Sequence, residues 1–273
     1  MKGPIGVFDS GYGGLTVLKS ISETLHDYDC IYLADNARNP YGTRSFDVIY
    51  SYTLEAVNKL FDMGCQLVIL ACNTASAKAL KTIQCEDLPL IDSTRRVLGV
   101  IRPSVEILGE ITESKHIGIL ATSGTVNSLS YIMEIDKLYG DTISVQQHDC
   151  PMWVPLVENN EIETKGTDFF IEKDVKILLD KDPLIDTILL ACTHYPLLAD
   201  KIKNFIPASV RLVKQGDIVA ASLKDYLLRH PEMDQRCTKG GSISFFTTET
   251  PDSFSKKASV FMEKDIRASH ISL

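Results

Sequence analysis

Several signatures of well-known protein classes are missing from this sequence of 273 residues. No apolar run reaches the roughly 18 residues that a membrane-spanning helix needs, which argues against an integral membrane protein. The N-terminal residues lack the apolar stretch of about 7–15 residues of an export signal, so we expect a cytoplasmic protein. Acidic residues number 36 and basic residues 28, and the basic residues are scattered, which disfavours binding of nucleic acid.

The seven cysteines include no CxxC pair, and they lack histidine partners at zinc-finger spacing. Their odd number predicts free thiols, and we expect neither a structural metal nor a thiol redox enzyme. The phosphate-loop pattern GxxxxGK[ST] is also absent. Cys150 could line a cleft, but it is predicted to pack beneath it. Trp153 and its neighbours Val154, Leu156 and Val157 form an apolar patch that fits a core, a cleft wall or a subunit contact. Four further cysteines are predicted to be core residues: Cys30, Cys65, Cys85 and Cys237.

Short apolar runs alternate with amphipathic segments along the chain. Runs of this length are typical of buried parallel strands, and repeated strand–helix units predict an α/β sheet. A 3.6-residue apolar period predicts helices over residues 45–63 and 168–179. The strands are predicted at residues 5–9, 30–35, 67–72, 116–122, 142–147 and 187–192.

Two pairs of similar segments occur in the same order and at similar separations. The strand that starts at Ile5 resembles the one at Ile117, an offset of 112 residues, and residues 69–74 resemble 189–194, an offset of 120. One such match can arise by chance, whereas two favour a duplication. We therefore predict two similar three-layer α/β domains with mainly parallel sheets, related by a pseudo-two-fold axis, and an active site in the cleft between them. The predicted domains are residues 1–94 and 95–212; residues 90–102 make the first crossing, and residues 213–273 return to the first domain.

A glycine-rich turn, DSGYGG at residues 9–14, follows the first strand. Its backbone amides could approach an anion such as a carboxylate, helped by the partial positive charge of the next helix. The alternative is a loop whose glycines only satisfy turn geometry.

Cys72 and Cys192 end apolar strands at equivalent positions of the repeat. A single cysteine there is most often an inert core residue. At a helix N-terminus, however, the pKa of a thiol falls, and His194 follows Cys192 closely enough to assist proton transfer. Two acid/base groups facing each other across a cleft suit the inversion of a stereocentre, one as a thiolate and one as a thiol. Nearby amides and hydroxyls would stabilise the carbanion, those of Ser10, Asn73, Thr74 and Thr193.

Five motifs make the chain resemble the glutamate racemases of the cofactor-independent aspartate/glutamate racemase superfamily. The resemblance extends from about residue 5 to about residue 217. It implies that L- and D-glutamate are interconverted without pyridoxal phosphate or another cofactor, that D-glutamate is supplied for bacterial peptidoglycan, and that the protein forms a homodimer. The motifs are DSGYGG at 9–14, ADNARNPYG at 34–42, ACNTAS at 71–76, CPMWVPLVE at 150–158 and ACTHYPLL at 191–198.

The resemblance also implies roles for individual residues. Cys72 and Cys192 would be the proton acceptor and donor, and Asp9 and His194 would assist them. No metal is implied. The substrate contacts would fall on Asp9, Ser10, Tyr41, Gly42, Asn73, Thr74, Thr122, Thr125, Glu158, Thr193 and His194.

Two other functions fit the same sequence. A racemase for aspartate or another amino acid would have the same fold and the same thiols, although His194 and the PYG segment at 40–42 favour glutamate. A binding protein without catalytic activity would close two α/β lobes over a small anion and merely bury its cysteines.

Overall fold

A computed structural model describes residues 2–273 of the chain. Its strands are β1 (Ile5–Asp9), β2 (Cys30–Ala34), β3 (Leu67–Leu70), β4 (Arg96–Gly99), β5 (His116–Ala121), β6 (Ser144–Asp149), β7 (Thr187–Ala191), β8 (Arg211–Val213), β9 (Ile243–Thr247) and β10 (Ala268–His270). Its α-helices are α1 (Leu15–Thr24), α2 (Phe46–Asp62), α3 (Asn73–Lys78), α4 (Leu80–Thr82), α5 (Leu88–Asp92), α6 (Ile101–Ile111), α7 (Ser123–Ser128), α8 (Ser130–Tyr139), α9 (Trp153–Glu158), α10 (Lys165–Lys181), α11 (Ala199–Ile202), α12 (Gly216–Arg229), α13 (Pro231–Asp234) and α14 (Pro251–Met262). None of the helices in this range is both long and apolar enough to cross a lipid bilayer.

The strands form two parallel sheets. One has six strands in the order β10-β9-β2-β1-β3-β4, and the other has four in the order β6-β5-β7-β8. The order β2-β1-β3-β4 of the first sheet is repeated by β6-β5-β7-β8 in the second, so β1 corresponds to β5 and β3 to β7. These are the strands that the sequence repeat paired. The prediction of two α/β domains with mainly parallel sheets is therefore confirmed.

Helices cover both faces of each sheet, because successive residues of a strand point to opposite sides. In β1, Val7 packs with α1, α12 and α14, whereas Phe8 packs with α2 and α3. In β5, Ile119 packs with α6 and α8, whereas Leu120 packs with α9 and α10. Each sheet is thus the middle layer of three.

The first sheet extends further along the chain than the predicted limit at residue 94. Strand β4 pairs with β3, and the chain reaches the second half only at α6, where Val105 packs in the core of the second sheet. Strand β4 has no apolar run that would predict it, because only Val97 among its residues is buried. The predicted crossing at residues 90–102 therefore contains a strand of the first sheet.

The segment after β8 lies against the first sheet. Helix α12 packs on α1. Strand β9 pairs with β2, and β10 pairs with β9 and forms the edge of the sheet. Strand β6 begins at Ser144, two residues later than predicted, because residues Gly140–Thr142 form a 3₁₀ turn. Cys30, Cys65 and Cys237 are buried as predicted, but Cys85 is exposed, so its assignment to the core was wrong.

Candidate active site

A cavity of about 260 Å³ lies where the carboxyl ends of both sheets meet. Residues one or two positions after β1, β3, β5, β6 and β7 border it, as expected for a ligand site in parallel α/β sheets. Asp9 and Thr125 do not border the cavity and lie behind it, fully buried. The other predicted site residues do border it: Ser10, Tyr41, Gly42, Cys72, Asn73, Thr74, Thr122, Glu158, Cys192, Thr193 and His194.

The two predicted acid/base cysteines reach this cavity from different sheets. Cys72 follows β3 and Cys192 follows β7, the corresponding strand of the second sheet. Each residue is 6% exposed and borders the cavity. The Ser10 Oγ lies 3.6 Å from the Cys72 Sγ. A molecule in the cavity therefore has a sulfur atom from each half of the chain beside it.

The thiol of Cys72 is held in its protonated form. Burial raises its pKa to about 12, and the nearby Asp9 carboxylate adds to this shift. The backbone N–H of Ala75 and the Ser10 hydroxyl act in the opposite direction without overcoming it. The first turn of α3 therefore acts on this thiol in the expected direction, but the expected net decrease in its pKa is wrong, because desolvation outweighs the helix contribution. Cys192 does not precede an α-helix directly, since residues Tyr195–Leu198 form a 3₁₀ helix.

A partly buried ion pair lies next to Cys192. The Nε2 of His194 lies 2.9 Å from the Oε1 of Glu158. Burial alone lowers the pKa of His194, but its contacts with Cys192 and Glu158 raise this pKa to about 10. Burial raises the pKa of Glu158, but hydrogen bonds from His194 and Asn39 produce a net decrease. His194 is therefore an imidazolium at neutral pH, and a cation in this position stabilises a negative charge on the Cys192 sulfur.

Asp9 connects the two halves behind the cavity. Its Oδ1 accepts a hydrogen bond of 2.9 Å from the Gly11 N–H, and its Oδ2 lies 3.4 Å from the Thr193 Oγ1. Burial raises the pKa of Asp9, although His194 and the hydrogen bonds to Gly11, Gly14 and Thr193 oppose this increase. The Gly11 N–H of the glycine-rich turn thus binds the carboxylate of Asp9.

Two glycines of this turn allow a close approach of side chains. A Cβ on Gly13 would lie 2.3 Å from the Thr193 Oγ1 and 2.5 Å from the His194 Nδ1. A Cβ on Gly14 would lie 2.4 Å from the Cβ of Asp9. These distances are shorter than any non-bonded contact of a carbon atom, so both positions require glycine.

Three threonine hydroxyls from the two halves form a cluster. The Thr74 Oγ1 lies 3.0 Å from the Thr122 Oγ1 and 3.5 Å from the Thr125 Oγ1, and the last two are 3.2 Å apart. Nearby, the Gly42 carbonyl accepts a hydrogen bond of 2.7 Å from the Gly124 N–H, which brings the two halves together. No lysine or arginine of residues 2–273 borders the cavity, so hydroxyl and N–H groups are its main donors to an anion.

Sequence reasoning missed several residues of the site. The Tyr41 hydroxyl donates to Asp35, a fully buried carboxylate that also accepts from Arg38. The Asn39 Nδ2 donates to Glu158 Oε1 at 2.9 Å and so links the two halves. Asp35 and Asn39 both lie in the ADNARNPYG motif, which was the available signal. Cys150 and Val154, for which a position in the cleft was one of the alternatives, border the cavity. Other missed residues also border it: Pro40, Thr43, Ser123, Pro151, Pro155 and Asn159.

One cluster within residues 2–273 has ligand types and spacing suited to a metal ion. Ligand atoms of His148, Cys150 and Asp174 lie within 4.8 Å of one another, and His148 Nε2 is 3.2 Å from Asp174 Oδ1. No spacing in the sequence predicts this cluster, because Asp174 comes from α10. Cys150 is both buried and at the cavity wall, whereas Trp153 is fully buried in the core beneath, against Tyr195.

Comparison with known proteins agrees with this geometry. The sequence model of the Asp/Glu/hydantoin racemase family matches residues 5–223. A glutamate racemase from Dinoroseobacter shibae is 38% identical over 272 residues, which cover 96% of each chain. A glutamate racemase from Bacillus anthracis superposes with a TM-score of 0.90 at 31% identity, covering 99% of this chain and 98% of that one. One from Francisella tularensis, solved in complex with D-glutamate, gives a TM-score of 0.85 at 29% identity, covering 99% of this chain and 96% of that one. The chain therefore belongs to the Asp/Glu/hydantoin racemase family, and it is a racemase whose relatives are glutamate racemases.

Proposed function

We propose that this racemase interconverts L- and D-glutamate by two proton transfers at Cα, one to each face, carried out by Cys72 and Cys192. The observation that carries the proposal is that one small cavity is lined by both cysteines, each from the corresponding strand end of a different sheet. A protein that only bound glutamate would not need matched thiols there. The glutamate bound to the Francisella tularensis relative supports the choice of substrate.

The charges around the two sulfur atoms assign their roles in the resting enzyme. Cys72 has a raised pKa and is a thiol. We assign the role of the base to Cys192, because the His194 imidazolium lies beside it and a cation there stabilises negative charge on sulfur. The Cys192 thiolate takes the Cα proton, so the C–H electron pair stays on Cα as a carbanion. The Cys72 thiol then gives its proton to the opposite face of Cα and becomes a thiolate. The reverse reaction starts from this second state.

The carbanion and the carboxylates of the substrate need donors that are already in place. The hydroxyls of Thr74 and Thr122, held by Thr125 behind them, form a preorganised group for one carboxylate, because hydrogen bonds to an ionised acceptor are stronger than those between neutral groups. Asp9, through Thr193 and the turn, keeps the loop after Cys192 in position. Both proton transfers use side chains of this chain, so the proposed reaction requires no cofactor. Cytoplasmic location, the supply of D-glutamate for peptidoglycan and a homodimer are also part of the proposal and rest on the family resemblance.

Exchange of the Cα hydrogen in deuterated water tests the mechanism. We expect the wild-type protein to racemise L-glutamate without added cofactor and to place solvent deuterium at Cα of the product. Cys72→Ala and Cys192→Ala should each abolish racemisation, while each remaining thiol still exchanges the Cα hydrogen of only one enantiomer, opposite for the two variants. Cys85→Ala is the control, because it changes an exposed thiol that does not line the cavity. This variant should retain full activity.

Two results would contradict the proposal. Full racemisation by either cysteine variant would end the two-thiol mechanism. Faster turnover of aspartate than of glutamate by the wild-type protein would leave the mechanism intact and change the substrate.

A further inference from the structure

A closed ring of hydrogen bonds joins three buried side chains next to Cys72. The Tyr131 hydroxyl donates to Asn73 Oδ1 at 2.6 Å, and Asn73 Nδ2 donates to Gln215 Oε1 at 2.6 Å. Gln215 Nε2 donates to the Tyr131 hydroxyl at 2.8 Å and closes the ring. Asn73 and Gln215 are each 3% exposed and Tyr131 is fully buried. Because water does not reach these groups, a bond lost from the ring leaves its partner unsatisfied.

The ring has only one arrangement of donors and acceptors. Gln215 Nε2 uses its second hydrogen on the Ser104 Oγ at 2.8 Å, and that hydroxyl donates to the Val100 carbonyl at 2.7 Å. Turning the amide of Asn73 or of Gln215 by itself would bring two oxygens or two N–H groups together. The side chain of Asn73 is therefore held in a single orientation.

The members of the ring come from parts of the chain that are far apart. Asn73 is the first residue of α3 and directly follows Cys72. Tyr131 lies on α8 and packs in the core of the second sheet. Gln215 immediately precedes α12, which packs on α1 beside the first sheet. The ring thus connects the peptide that carries one thiol to the half of the molecule that carries the other.

We propose that Gln215 is a positioning residue for this thiol. Through Asn73, it holds the Cys72 sulfur at a fixed place relative to the second sheet, where Cys192 lies. Gln215 does not border the cavity, so it acts through its neighbours and not on the substrate. This inference rests on the proposed function, because it concerns how Cys72 reaches Cα. A displacement of about 1 Å in a reacting group can lower a rate by roughly 10²-fold.

The variant Gln215→Met tests this role, since it keeps the length of the side chain and removes its amide. The value of kcat/KM should fall about tenfold or more, within the range that such displacements produce. It should fall equally in both directions, because the two enantiomers have the same free energy.

The informative measurement is the isotope effect with α-deuterated substrate in each direction. If transfer at Cys72 becomes the slowest step, this isotope effect should increase for the enantiomer that Cys72 deprotonates. For the other enantiomer, Cys192 removes the labelled hydrogen and Cys72 delivers a proton that comes from solvent. A slow step at Cys72 then involves no label, so the isotope effect should decrease.

Matched variants separate positioning from a general loss of structure. Gln147→Met changes another buried glutamine, on β6 and away from the cavity, and should leave both isotope effects at their wild-type values. Tyr131→Phe removes a single hydroxyl from the ring and should shift the isotope effects in the sense predicted for Gln215→Met. It serves as the test if Gln215→Met does not fold.

The outcomes that overturn the inference are distinct. Unchanged isotope effects in Gln215→Met or, where that variant does not fold, in Tyr131→Phe would show that the ring does not position Cys72, and the proposed function would stand. A wild-type protein that does not racemise glutamate would overturn the proposed function and this inference together.

Discussion

Replacing Gly13 with alanine should inactivate the enzyme by displacing the residues beside Cys192. The new Cβ would lie 2.3 Å from the Thr193 Oγ1 and 2.5 Å from the His194 Nδ1. An unstrained contact requires about 3.5 Å, so these side chains must move by roughly 1 Å. Such a displacement of catalytic groups lowers a rate by about 10²-fold. Overpacking of this kind also lowers the free energy of unfolding by about 1–3 kcal/mol.

The assay for Gly13→Ala compares kcat/KM with urea unfolding of the same preparation. Gly166→Ala is the matched control, because its Cβ would meet only the Thr164 Oγ1, at 3.7 Å. Gly166 lies in α10, and we expect its replacement to leave activity unchanged and to stabilise the protein by up to about 1 kcal/mol. If Gly13→Ala retained activity within twofold of the wild-type protein, the close packing of the turn against His194 would not matter for catalysis.

Three further outcomes are expected. Because the folded protein raises the pKa of His194 to about 10 from its ordinary 6.5, the resulting stabilisation is fully present below about pH 6.5 and is lost progressively towards pH 10. The difference in free energy of unfolding between the wild-type protein and His194→Gln, measured in urea, should shrink over that interval; a constant difference would contradict the charged imidazolium. Thr74→Val removes one hydroxyl of the cluster and should raise KM for glutamate about tenfold, with a smaller change in kcat; an unchanged KM would remove this cluster from substrate binding. A bulky thiol reagent should label the exposed Cys85 first without loss of activity, as mass spectrometry of peptides would show; early labelling of Cys72 or Cys192 would mean that the cavity is more open than described.

The fully buried strands could be predicted from the sequence, whereas β4, β8 and β10 at the sheet edges could not. Strands β1, β3 and β7 are buried along their whole length, so each appears as an apolar run. Strand β4 buries one of four residues, β8 one of three and β10 none, so their sequences carry no comparable signal. The limits of the two halves depend on these edge strands, which explains why β4 was placed beyond the first half.

The sequence by itself determined that two cysteines lie at corresponding ends of two parallel sheets, because apolar runs and repeats are local properties of the chain. Only the tertiary structure decided their electrostatic surroundings. Cys72 keeps its proton because the fold buries it beside Asp9. The pKa of His194 is raised by contacts with Cys192 and with Glu158, which is 36 residues away. Asn73 meets Gln215 across 142 residues. Charge and hydrogen bonding depend on burial and on partners distant in the sequence, and folding alone brings these together.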